Sequence, residues 1–225
     1  MVKISIKEMV INENASIGIG TIVIFIAMVL VAGIAASVII QTMNSMEQQA
    51  MRAGQETTEE VSTGISIFDI KGYVPSSTGN IDNMTITVRP RAGSADIDLA
   101  EAFLELSNTD YKVIMNYDTA GSNNWNDSTT GVDDVFGVDC FPAAANRFGI
   151  LVYEDADDSC TETNPVINRG DKVLLCVDTT QSFNATSGIN ERTDIWGTVC
   201  PEQGSPGMIS FTTPAINDNN IYVLQ

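Results

Sequence analysis

Histidine is absent from this chain of 225 residues. That excludes the Ser-His-Asp and Cys-His arrangements that activate a nucleophile, and every mixed cysteine and histidine zinc site. Cations are scarce as well, with 11 lysines and arginines against 29 aspartates and glutamates and a formal net charge of −18. A surface of that sign repels nucleic acid and anionic lipid, which both need cationic partners, so no nucleic-acid role is expected. Most of the acidity reads as solubility in salty water. No glycine-rich loop follows a strand to cradle a phosphate, since Gly18-Ile-Gly20 lies inside an apolar run. These absences leave no catalytic constellation, and the chain does not read as an enzyme.

The four cysteines, Cys140, Cys160, Cys176 and Cys200, contain no CxxC pair. That spacing speaks against a dithiol redox motif and against an all-cysteine zinc site. An even number beyond an apolar helix points to an oxidising exterior and two disulfides, in one of three pairings, with buried free thiols as the alternative.

Charge is missing altogether between Glu13 and Glu47. The apolar part, Ile17 to Ile40, would rise roughly 36 Å as a helix, enough to cross the roughly 30 Å hydrocarbon core of a bilayer. It is too long for a cleaved secretory signal and runs on without a small-x-small site leading into polar sequence. Residues 1–15 read as a polar leader, whose Lys3 and Lys7 favour a cytoplasmic N-terminus. Ala32, Gly33 and Ala36 provide a small-xxx-small spacing that lets helix backbones approach closely. Beyond Ile40 the pattern turns amphipathic, with Met43, Met46, Ala50, Ala53, Val61 and Ile65 apolar and Glu47, Arg52, Glu56, Glu59 and Glu60 between them. One helix over 16–64 is predicted, and its second half needs a partner other than lipid.

From Ile65 the period shifts towards two. Strands are predicted at Ile65–Ile70, Met84–Val88, Phe103–Leu106, Tyr111–Tyr117, Phe148–Tyr153, Lys172–Val177, Met208–Thr212 and Ile221–Leu224, separated by turn-rich pieces. The fold class is therefore α+β: a long N-terminal hydrophobic helix followed, over 65–225, by an immunoglobulin-like antiparallel β-sandwich. Asp118 to Phe136 is expected to be an exposed loop.

Glu154-Asp-Ala-Asp-Asp158 gathers hard oxygen donors, and Asp155, Asp157 and Asp158 would suit Ca²⁺ or Mg²⁺; a solvated acidic turn is the plainer reading. No other cofactor is expected. Asn83-Met-Thr85, Asn126-Asp-Ser128 and Asn184-Ala-Thr186 are N-glycosylation sequons in the part expected outside the cell.

The stretch Gly18-Ile-Gly-Thr-Ile-Val-Ile-Phe-Ile-Ala-Met-Val-Leu-Val-Ala-Gly-Ile-Ala-Ala36 resembles the N-terminal signature of the archaellins, the archaeal flagellins. Ile70-Lys-Gly-Tyr-Val74, Phe148-Gly-Ile150 with Asp155-Ala-Asp-Asp-Ser159, Pro165-Val-Ile-Asn-Arg-Gly-Asp171 and the run Gly197 to Pro214 also resemble methanogen archaellins. The resemblance implies a type IV pilin-like plan, with helices bundled in a filament core and sandwich heads forming the sheath. It implies a homopolymer, in some cases with related archaellins, that forms the extracellular archaellum used for swimming. A motor and membrane platform at the filament base would turn it. It further implies a precursor held transiently in the cytoplasmic membrane and cut by a prepilin-type peptidase between Ala15 and Ser16. Asn14 and Ala15 depart from the basic residue and glycine usual before that cut. An adhesion pilin of the same plan and a single-pass membrane-anchored binding protein are the alternative readings.

Overall fold

The computed structural model describes residues 6–75, 79–119, 124–183, 188–216 and 219–225, with side chains from residue 17 onward. The chain divides into two compact units, Met1–Gln55 and Glu56–Gln225. Helix α1 spans Ile6–Ser62 and so makes up the described part of the first unit and opens the second. It starts before the expected position 16 because no proline or glycine interrupts residues 6–17.

In the first unit the helix is long and apolar enough to cross a membrane. Every large apolar side chain from Ile17 to Ile40 is more than half exposed, from Ile26 at 52% to Phe25 and Met28 at 68%. The helix ends in the second unit, where the Thr63 amide closes the last turn on the Glu59 carbonyl at 2.8 Å. The next amide, Gly64, donates instead to Ser94 Oγ at 3.1 Å. A Cβ on Gly64 would stand 2.9 Å from the Ser205 carbonyl, so glycine allows this close crossing.

The rest of the second unit contains β1 (Ile65–Tyr73), β2 (Asn83–Pro90), β3 (Ile97–Asp98), β4 (Phe103–Ser107), β5 (Lys112–Tyr117), β6 (Trp125–Asp127), β7 (Arg147–Glu154), β8 (Val166–Ile167), β9 (Lys172–Asp178), the one-turn helix α2 (Thr179–Ser182), β10 (Asp194–Cys200), β11 (Gly207–Thr212) and β12 (Ile221–Val223). The strand order is β11-β10-β4-β5-β7-β9-β2-β1-β12, with β6 added on β7, while β3 and β8 pair separately. The junction between β5 and β7 is short, Asn116 opposite Arg147 and Tyr117 opposite Phe148. Residues from both sides of that junction, among them Leu104, Met115, Ile195 and Ile209 on one side and Ile86, Ile150 and Leu175 on the other, share one continuous core. The sheet therefore folds over at the junction into two packed layers.

Most pairings are antiparallel, as expected, but β5 with β7 and β6 with β7 are parallel. The chain leaves β5 at Tyr117 and re-enters at Arg147 beside Asn116, so β7 must run in the same direction as β5. β5 and β11 alternate buried and exposed residues, the mark of one solvated face. β7 and β9 are buried on both faces: Ile150, Val152, Val173, Leu175 and Val177 point into the main core. Leu151, Leu174 and Cys176 join Cys140 in a second cluster beneath Val135, Val138 and Phe141.

Several residues of the segment Asp118 to Phe136, expected as an exposed loop, are instead packed. Trp125 packs against the core, Ser128 Oγ donates to the Val152 carbonyl at 2.7 Å, and Phe136 stacks on Tyr73 at 5.3 Å between centroids. An apolar outer face on β7 and β9 needs a cover, and this segment supplies part of it. Residues 120–123 lie outside the described residues.

Candidate functional site

Three features of the chain could act: the bare helix, the acidic turn and the cysteines. On the helix, Ala32, Gly33 and Ala36 are all exposed, and a Cβ on Gly33 would meet nothing within 4 Å. Small residues flanked by Leu30, Val31 and Ile34, each more than 60% exposed, form a surface that a second helix can approach closely. The expected cut between Ala15 and Ser16 falls within α1, where side chains lie outside the described residues.

The acidic turn sits at the ends of two neighbouring strands, after β7 and before β9. The carboxylates of Asp155, Asp157 and Asp171 offer oxygens that all lie within 4.8 Å of one another. Asp155 holds the turn by accepting from the amides of Asp157 at 3.2 Å and Cys160 at 2.9 Å. Asp171, only 2% exposed, accepts from the Asn168 amide at 2.8 Å and from Ser159 Oγ at 3.4 Å. The Asn168 side-chain amide donates to Asp157 Oδ2 at 2.7 Å.

The surroundings shift the two carboxyl groups in opposite directions, although the hydrogen bonds to each favour its charged form. The Asn168 side-chain amide is the main cause that holds Asp157 below the ordinary aspartate range. Burial is the main cause that raises Asp171, and the negative charges of Asp155 and Asp157 add to it. A crowded set of oxygen donors that includes a buried carboxylate suits a hard divalent cation, which would relieve that repulsion. The set differs from the sequence expectation: the three carboxylates that gather are those of Asp155, Asp157 and Asp171, while Asp158 has a left-handed backbone, φ 56°. Sequence reasoning missed Asp171 because it stands in a separate segment, and only the pairing of β7 with β9 brings it to the turn.

All four cysteines are free thiols in this structure. Cys140 and Cys176 share the outer cluster. Cys160 lies in the main core near Trp125 and Asp155, and burial pushes its thiol up to about 12. Cys200 ends β10, with its sulfur 3.4 Å from Thr198 Oγ1. Of the four, only Cys140 and Cys176 share one cluster.

Of the sequons, Asn83 opens β2 and Asn126 lies in β6, each partly buried, and Asn184 falls outside the described residues. The hydroxyl residues of the first two, Thr85 and Ser128, are buried at 2% and 5% exposure.

Comparison with known proteins gives a consistent result. A family model described as archaeal-type flagellin matches residues 15–211. Flagellin B2 of Methanocaldococcus jannaschii is 40% identical over 208 residues, covering 91% of this chain and 91% of that protein. The crystal structure of archaeal flagellin FlaB1 from Methanocaldococcus jannaschii is similar with a TM-score of 0.64 and 32% identity, over 72% of this chain and 97% of that one. The subunit in the archaeal flagellum of Methanospirillum hungatei shares the fold, with a TM-score of 0.61 at 12% identity over 91% of this chain and 98% of that one.

Proposed function

The chain belongs to the archaeal-type flagellin family, and from that premise we propose that it is a structural subunit that polymerises through its apolar helix into the archaellum, the filament that archaea rotate to swim. The observation that carries this reading is the bare helix. The exposed apolar surface from Ile17 to Ile40 is on the order of 2,000 Å², worth roughly 50 kcal/mol at about 25 cal/mol per Å². A domain's whole stability is about 5–15 kcal/mol, so the helix cannot be left in water. Lipid satisfies it in the precursor, and identical helices satisfy it in the polymer.

Polymerisation follows from simple symmetry. A contact between two different faces of the same chain, repeated without closure, makes a helical fibre. Ala32, Gly33 and Ala36 would mark the closest helix contacts, and the acidic sandwich would face the medium. The subunit would be passive, with a prepilin-type peptidase acting before assembly and a motor at the filament base supplying the torque. Asp155, Asp157 and Asp171 would hold Ca²⁺ or Mg²⁺ as a brace between the ends of β7 and β9. Deletion of the gene, with complementation, tests the proposal: loss of surface filaments and of swimming, both restored by the intact chain, is expected. Swimming and filaments that persist in the deletion strain would overturn it.

A further inference from the structure

Cys140 and Cys176 are both fully buried, and they meet on the outer face of the second layer. Gly149 is the direct cross-strand partner of Cys176, and residues directly opposite in an antiparallel pair present their side chains on the same face. A Cβ on Gly149 would stand 2.1 Å from the Cys140 carbonyl oxygen and 3.0 Å from its carbon. The backbone of Cys140 therefore fills the space that a side chain at 149 would have taken, beside the Cys176 thiol. The Cys140 side chain is near enough to the Cys176 thiol to add to the effect of burial on it. Cys160 packs in the main core and Cys200 ends β10, so neither belongs to this cluster.

We propose that Cys140 and Cys176 form a single internal disulfide when the chain meets an oxidising compartment, fastening the segment between β6 and β7 to the sheet, while Cys160 and Cys200 remain thiols. The oxidant is a disulfide-bearing molecule. One cysteine thiolate attacks it to give a mixed disulfide and release one thiol, and the second cysteine displaces the other. Two protons and two electrons leave the protein, one S–S bond forms, and one S–S bond of the oxidant breaks.

Burial also sets when this happens. The Cys176 thiol is pushed well above its ordinary range by burial first and by Cys140 second, which suppresses the thiolate that must attack. The exchange therefore takes place before the covering segment docks, or when it lifts, and is slow in the closed fold.

The test uses the full chain in detergent, refolded from denaturant with oxidised and reduced glutathione, then unfolded, alkylated and mapped by mass spectrometry. Alkylation of two cysteines out of four, with the peptides of Cys140 and Cys176 joined, is the expected result. Alkylation of all four, or any link that includes Cys160 or Cys200, overturns the proposal. A second measurement compares melting with and without reductant. Reduction should lower the Tm of the oxidised chain and leave a Cys140→Ala, Cys176→Ala variant unchanged; an equal response in both contradicts the assignment.

Discussion

Gly149→Ala is the most informative single substitution in the second unit. The added methyl would stand 2.1 Å from the Cys140 carbonyl oxygen and 2.9 Å from that of Asn124, both backbone atoms that cannot rotate away. Ordinary contact for such a carbon is 3.4–4 Å, so the covering segment must retreat by more than 1 Å or the strand must bend. Overpacking of a tight site costs about 1–3 kcal/mol, and a backbone clash belongs at the upper end. At about 2–4 °C per kcal/mol for a domain of this size, about 3 kcal/mol corresponds to a fall in Tm of about 6–12 °C. Tryptophan fluorescence of the full chain in detergent reads this directly, because the two tryptophans, Trp125 and Trp196, both lie in the second unit. Gly54→Ala is the control, since a Cβ there meets nothing within 4 Å and alanine favours a helix. A Gly149→Ala chain that melts within a degree of the parent would refute the docking of residues 138–141 on β7.

The acidic cluster predicts a pH dependence with a definite sign. Because the folded Asp171 carboxyl titrates above its unfolded value, the folded state holds that proton more tightly, and stability falls as pH rises from about 4 through the folded value. Asp171→Asn removes this penalty, so its Tm relative to the parent should improve with rising pH; a constant difference contradicts the assignment. Added Ca²⁺ or Mg²⁺ should raise the Tm of the parent and not of Asp171→Asn, by about 2.7 kcal/mol of stability at a hundred times the Kd, and equal responses would remove the cation brace. Ser128→Ala loses the buried hydrogen bond to Val152 and should cost about 1 kcal/mol, whereas Asn126→Gln removes the same sequon at little cost; equal melting shifts would show that the bond does not hold β6. Ala36→Leu should hinder filament formation by keeping helices apart, and normal filaments from it would rule out close packing at that face.

The helix and most of the sandwich were legible in the residues themselves. The uncharged run from Ile17 to Ile40 has one reading at its length, and all eight strands expected from alternation occur in the structure. β10 escapes the alternation because Gly197 interrupts the pattern Ile195, Val199; a Cβ there would stand 2.0 Å from the Glu105 carbonyl, a constraint set by β4. β6 gives no strand signal because Trp125-Asn-Asp127 carries no period of its own, and its pairing with β7 is long-range. The acidic site shows the same boundary. Asp155 and Asp157 announce themselves as neighbours in a turn, but Asp171 joins them only through the register of β7 against β9. The left-handed backbone of Asp158 is likewise a product of that turn rather than of composition.

In the proposed filament the apolar helix ends its life among copies of itself. Electron cryomicroscopy of filaments sheared from cells that carry this chain tests it most directly. A helical polymer whose axis is a bundle of α-helices is expected, with Ile17 to Ile40 buried there and the sandwiches outside. A protein released only by detergent, with no filament, or a filament whose helices lie apart from its axis, would contradict it.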